Sequence, residues 1–251
     1  MSAMVIAWIV FGCVFGGVLL GMFLRDVLPD HHLSADSRDV VKLGMGLIAT
    51  MAALVLGLLI ASAKGSYDTQ RNELVRLSAN VVLLDRVLAH YGSEAKEARD
   101  MLRSVVASAL DRIWPADSSR AAQLEPTATP AEGLYDKIRG LSPQDEAQRS
   151  LQAEALQIAI DLARTRWLLF EQAGSSISMP FLVLLAFWLV IIFVSFGLFA
   201  PRNATVLVTM LVCALSVSGG IFLILELDRP FAGLIRISSA PLRSALAHLG
   251  R

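Results

Sequence analysis

Along the chain, apolar positions come in four long runs, and between the second and third they thin to a helical alternation with charged residues. The runs are residues 4–24, 43–63, 179–200 and 204–227, and at ~1.5 Å per residue each is long enough to cross ~30 Å of hydrocarbon. They predict four membrane-spanning helices. The rest of the chain is organised around the second. Between Ala63 and Leu88 the only breaker is Gly65, so one helix is expected over residues 40–91, leaving the bilayer and continuing into water. Past the span its apolar residues fall at Leu74, Leu77, Val81, Leu84, Leu88 and Tyr91, a three-four spacing that makes a seam for partner helices.

The first run has no basic residue before it and no small-residue cleavage site after it, and Arg25-Asp26 closes it. It therefore reads as a retained span rather than a secretory signal. Gly12 and Gly16, and again Gly17 and Gly21, are four apart, which lets another helix approach closely in lipid, although glycine is common in such helices anyway. A loop over residues 27–42 joins the first two spans. Its adjacent His31 and His32, flanked by Asp30 and Asp36, diverge on any regular backbone and have no i, i+4 partner, so they read as solvated loop residues and not as metal ligands.

Residues 64–176 have the pattern of a soluble helical bundle. Ser93 is a candidate cap for a helix that buries Leu102, Val105, Val106, Ala109, Leu110 and Ile113, with Pro115 beyond its end. Residues 115–133, rich in Pro, Ser, Thr and Ala, read as a flexible loop, followed by a short helix near 134–139. Ser142-Pro143-Gln144-Asp145 offers a cap, a first-turn proline and an acid three residues on. The helix it starts carries one stripe of Leu151, Ala155, Ile158, Leu162, Thr165 and Leu169 and a second of Leu156, Ile160, Ala163, Trp167 and Phe170. Two apolar faces predict neighbours on two sides.

Gly174-Ser175-Ser176 ends that helix, and Pro201-Arg202-Asn203 turns between the last two spans with Asn203 as cap. The organisation is thus a transmembrane hairpin over residues 1–63, a bundle over 64–176, a second hairpin over 177–227 and an amphipathic tail over 228–251. Ser216 and Gly220 offer a further small-residue contact in the fourth span. The tail sets Phe231, Leu234, Ile235, Leu242, Leu246 and Leu249 among arginines, a pattern suited to a membrane surface or a neighbouring subunit.

Composition agrees with this class: 55% of residues are hydrophobic and 18% charged. The net charge of zero provides no whole-molecule field for nucleic acid, and that partner is set aside. Cys13 and Cys213 lie inside apolar runs and read as packing residues rather than a disulfide. Basic residues near the span ends are more numerous on the bundle side, which places the bundle and both termini in the cytoplasm. No Gly-x-Ser-x-Gly elbow, phosphate loop, His-Glu-x-x-His or EF-hand loop is present, and Glu226 and Asp228 at a span exit read as capping or pairing with Arg229. An enzyme is therefore not expected, nor a cofactor. The first three spans hold no charge, which disfavours ion-driven transport.

On the second span, Lys42, Gly46, Thr50, Ala53, Gly57, Ala61 and Lys64 form a single stripe, small in the middle with a lysine at each end. Repeated around an axis it gives two basic rings joined by an uncharged wall, an arrangement that favours anions. Small stripes also seat neighbouring helices, and terminal lysines snorkel to head groups. Leu47, Met51, Leu54 and Leu58 form a bulkier stripe that is the alternative lining, as an apolar gate.

The run LVLGLLIASAKGSYDTQRNELVRLSANVVLLDRVLAHYGSEAKEARDMLR (54–103) and the exit ILELDRPFAGLIRIS (224–238) resemble the bacterial bestrophin-like membrane proteins. The resemblance extends over nearly the whole layout of two spans, cytoplasmic helices, two spans and a tail. It implies an all-α, bestrophin-like fold in the bacterial inner membrane. At one remove, from the bestrophin anion channels, it implies a pentameric homo-oligomer whose second span lines a pore for anions such as chloride. The chain departs from those channels in lacking an aromatic constriction in the second span and an acidic cluster that would make a calcium clasp. The alternative reading is a membrane-anchored interaction or sensing protein, without conductance, whose bundle binds partners. Glycine pairs in the first span and the seam of residues 74–91 are the sequence's own grounds for expecting an oligomer.

Overall fold

The structure, a computed structural model, describes residues 2–29, 35–115, 128–172, 177–201 and 203–250. Their secondary structure is helical throughout: α1 (Ala3–Val27), α2 (Ala35–Tyr91), a 3-10 turn (Ser93–Ala95), α3 (Lys96–Ile113), α4 (Ala128–Arg139), α5 (Glu146–Gln172), α6 (Met179–Phe199), α7 (Ala204–Leu227) and α8 (Ala240–His248). Helices α1, α2, α6 and α7 are long and apolar enough to cross a membrane. The chain forms two compact units, Met1–Gly65 with Ser176–Asp228 and Ser66–Ser175 with Arg229–Arg251, and α2 contributes to both.

In the first unit α1 packs against α6 and α7. Ser2 caps α1 by accepting from the Val5 amide at 3.3 Å, and Asn203 caps α7 by accepting from Val206 at 2.8 Å. The α1–α6 contact rests on glycine. Gly17 has the Val190 carbonyl oxygen 3.2 Å from where a Cβ would stand, while a Cβ on Gly21 would overlap the Val194 carbonyl, and one on Gly197 the Val18 carbonyl. Without side chains at these points the two backbones touch, which in lipid replaces hydrophobic burial as the cohesive term. The pair Gly17 and Gly21 is therefore consumed inside the subunit, whereas Gly12 and Gly16 face open space. Cys13 and Cys213 are free thiols and both are exposed, so neither is the packing residue within the subunit that its apolar run suggests. Gly220 is likewise open, and Ser216 returns its hydroxyl to the Val212 carbonyl at 2.8 Å.

The seam on α2 is real, but its partners are the chain's own helices. Val81, Leu84, Leu88 and Tyr91 are buried with Ala98, Leu102, Val106 and Leu110 of α3, Leu134 and Ile138 of α4, and Ala155 and Ile158 of α5, while Leu77 packs at the edge. Leu74 joins a second cluster with Leu169, Phe231 and Ile237. Leu74, Val81, Leu84 and Leu88 thus carry no argument for an oligomer, because a buried apolar residue has no surface left for a second copy, and the half-buried Leu77 already packs against both clusters. The tail also differs from expectation: Leu242, Ala245 and Leu249 enter the bundle core, and Trp114 fixes the tail by donating from Nε1 to the Ile237 carbonyl at 2.9 Å. An amphipathic pattern demands an apolar partner without naming it, and here the bundle itself is close enough to serve.

Four boundaries shift. α2 begins at Ala35, a full turn before residue 40, while the expected loop over 27–42 loses its ends to α1 and α2, and His31 and His32 lie outside the described residues. Ser93 opens a 3-10 turn after Gly92 (φ 129°), and α3 starts at Lys96 without a side-chain cap. The expected loop over 115–133 is helical from Ala128, and residues 116–127 lie outside the described part. α5 starts at Glu146 because Asp145, not Ser142, is its cap: Asp145 Oδ1 accepts from the Gln148 amide at 2.7 Å, and Gln148 Oε1 accepts from the Gln144 amide at 2.7 Å. The first α5 stripe is the better covered; on the second, Leu156, Ala163 and Phe170 are half-buried, while Ile160 and Trp167 are exposed.

Candidate functional site

On the span portion of α2, Ala52, Leu59 and Ala63 are buried, and Val41, Met45, Ile48 and Val55 are half-buried on the same side. This is the face that packs into the first unit. Every member of the small stripe (Lys42, Gly46, Thr50, Ala53, Gly57, Ala61 and Lys64) is exposed, and so is every member of the bulky one (Leu47, Met51, Leu54 and Leu58). The structure brings both candidate linings onto one uncovered sector and does not choose between them. At ~100° per residue the stripes are about 100° apart and each lies roughly 130° from the buried face. The line between them, pointing straight away from the buried face, runs through Leu43, Thr50, Leu54 and Ala61. Leu43 and Leu54 are among the most exposed large apolar residues, at 78% and 76%. No glycine on this face touches anything: Gly46 and Gly57 have no neighbour within 4 Å of a would-be Cβ. Thr50 donates its hydroxyl back to the Leu47 carbonyl at 2.7 Å, which satisfies that hydroxyl within the helix.

The ends of this face are less simply basic than the stripe suggests. Lys42 pairs with Asp39 at 3.4 Å, both well exposed, so the charge at that end is partly offset. Arg38, one turn earlier, stays exposed but reaches the end of α6: it donates to the Phe199 carbonyl at 2.7 Å and stacks over the Phe199 ring at 5.8 Å. Arg25 donates to the neighbouring Ala200 carbonyl. Both guanidinium groups thus satisfy carbonyls left orphaned where α6 ends, and their charge complements the negative end of its dipole. From the sequence these arginines read only as topology markers. Their proximity to a helix end 161 and 175 residues away leaves no local signal.

In the second unit, Asp85 is the polar residue that the apolar seam hid. It is 1% exposed and receives two bonds from Arg99, at 2.8 and 3.0 Å, and one from the Gly250 amide at 3.3 Å. Burial pushes its carboxyl up, but the Arg99 and Gly250 hydrogen bonds and the charges of Arg99 and Arg86 outweigh that and hold its pKa below the ordinary value. Asp85 ties α2, α3 and the end of the tail together. Near the start of this unit, Gln70 is buried and donates to the Gln172 carbonyl at 2.9 Å, while Gln172 reaches Glu73 at 3.3 Å.

Neither curated proteins nor solved structures produce a match to this chain. A family model does, that of the bestrophin-like domain, and it covers residues 12–242, from within α1 to the first turn of α8. With its all-helical fold and four membrane-length helices, this chain belongs to the bestrophin-like family of membrane proteins.

Proposed function

We propose that the protein is a homo-oligomeric membrane channel in which α2 faces the central axis and conducts anions in preference to cations. The observation that supports this is the uncovered sector of α2, which runs the length of the span although the opposite face of the same helix is packed. In a closed ring the small stripe of one copy meets the bulky stripe of the next, a heterologous contact in which knobs enter a flat, glycine-containing surface. Leu43, Thr50, Leu54 and Ala61 then line the conduit as a mostly apolar constriction of the kind that gates by dewetting. Lys42 and Lys64 supply rings at its ends. Asp39 offsets the first, and Asp68 follows Lys64 by four residues, so the expected anion preference is modest. Five copies is the ring size the resemblance implies. The bundle and both termini then lie in the cytoplasm of a bacterium, the spans in its inner membrane, with lipid around α1, α6 and α7.

The test is purified protein in a planar bilayer under a chloride gradient. Wild type should reverse on the chloride side of zero, Lys64→Glu should move the reversal toward the cation, and Gly57→Leu should lower conductance. Because Gly57 faces open space in one subunit, its substitution acts only through the ring. No current from a verified, folded oligomer would refute the channel. It would favour the second reading, a membrane-anchored sensing protein, for which the specific observation is a cavity in the bundle.

A further inference from the structure

Among the described residues, α2, α3, α4, α5 and the tail residues Phe231 and Leu242 line an open cavity of about 610 Å³. That is within the ~300–1,000 Å³ range of small-molecule sites. Its wall is mainly apolar, with Leu77 and Val81 from α2, Leu102 and Val106 from α3, and Leu162 and Trp167 from α5. Two cations also line it, Arg112 and Arg166. Arg166 is only partly exposed, and its Nε is buried without a hydrogen-bond partner. Burial lowers its pKa and the charge of Arg112 lowers it further, against a smaller opposing pull from Glu132. Glu132 and Asp136 line the cavity from α4 but are exposed to solvent, and Tyr135 beside them is half-buried. The carboxylates therefore sit at the rim, while a half-buried guanidinium whose Nε–H is unused sits against apolar walls. A folded protein rarely leaves such a group unpaired, and a planar anion matches its fork geometry.

We propose that this cavity binds a free long-chain fatty acid, with the carboxylate on Arg166 and Arg112 and the single alkyl chain among the apolar residues of α2 and α3. A single chain suits a pocket of drug-ligand size, which has no room for a two-chain lipid. The proposal rests on the bundle alone and holds whether or not the assembly conducts.

The experiment uses the full chain in nanodiscs with a diazirine-bearing palmitic acid, photolysis and peptide mapping, which separates site occupancy from partition into lipid. Saturable labelling is expected in peptides from residues 102–113 and 159–169, competed by unlabelled palmitate. Arg166→Gln should lower that labelling about tenfold or more at sub-saturating probe, the loss expected for a charge-assisted pair, and leave labelling of span peptides unchanged. Arg166→Lys should restore part of it, which separates loss of charge from loss of fold. The matching fatty alcohol should label the bundle weakly. Labelling confined to the spans, equal labelling by the alcohol, or an unchanged Arg166→Gln would overturn the proposal. So would bundle labelling that appears only when residues 116–127 are deleted, or copy-to-copy cross-links at Trp167 in place of probe, since the occupant would then be the chain itself or a second copy.

Discussion

Replacing Asp85 by Ala removes the acceptor of three hydrogen bonds, two of them charge-assisted from Arg99. The Asp85 side chain is 2% exposed, whereas the Arg99 side chain keeps 23% of its surface in water. Breaking a fully buried ion pair costs about 3–5 kcal/mol, and because the surviving guanidinium can hydrate, the expected loss here is about 2–3 kcal/mol. For a chain of this size that is a fall in Tm of roughly 4–12 °C. Differential scanning fluorimetry in one detergent, at fixed protein concentration, reads it. The companion variants are Arg99→Met and the double change. If the pair acts as a unit, the double variant should be more stable than Asp85→Ala alone, because the stranded charge is gone. An Asp85→Ala Tm within about 1 °C of wild type, or strict additivity in the cycle, would refute this account of how α2, α3 and the tail are joined.

The same carboxylate fixes a pH dependence. Its folded pKa lies below the ordinary 3.8, so its contribution is present above that value and is lost as pH falls through the folded pKa; acid melts below about pH 4 should destabilise wild type more steeply than Asp85→Asn. Gly21→Val forces a side chain into the Val194 carbonyl and should separate α1 from α6, so that cross-linking between cysteines placed on those helices falls to background, while Gly12→Val, in open space, should leave it intact. Trp114→Phe keeps the ring contact with Phe231 but loses the bond to the Ile237 carbonyl. It should cost about 0.5–1.5 kcal/mol and speed proteolytic release of the tail. In a background lacking Cys13 and Cys213, a cysteine at position 118 should resist membrane-impermeant maleimide in intact cells; labelling there would invert the proposed topology.

Span existence was legible because each run of about twenty apolar residues has one physical solution, and the continuity of α2 through Gly65 was legible because nothing on either side offers a stop. Partner identity was not. Gly17 and Gly21 announce that some backbone comes close, but only the fold says that it is α6, and the seam from Leu74 to Leu88 looks the same whether its complement is in this chain or another. Local chemistry also misled where two signals competed. Ser142-Pro143 imitates a helix start, yet Asp145, which accepts from the Gln148 amide while the Gln148 side chain accepts from the Gln144 amide, makes the better cap and wins. Asp85 was invisible for a related reason: within an apolar seam one acid reads as surface, and only a distant arginine reveals it as core. For the candidate lining, spacing defines two stripes that are both exposed in the single subunit, and which of them meets a neighbour is set by contacts between copies.

The arginine clasp on α6 has a consequence for biosynthesis. Arg25 and Arg38 emerge from the ribosome well over a hundred residues before the carbonyls they serve, and Gly21 waits equally long for Val194. The first two spans must therefore sit in the bilayer as an incomplete pair, with a bare glycine notch and two guanidinium groups held at the head groups, until translation delivers α6. A chain that stalls after the bundle would present that notch to the membrane indefinitely. Quality-control proteases should clear such products faster than chains stalled after α6, and the lifetime of a nascent chain should lengthen in one step when residue 200 is passed.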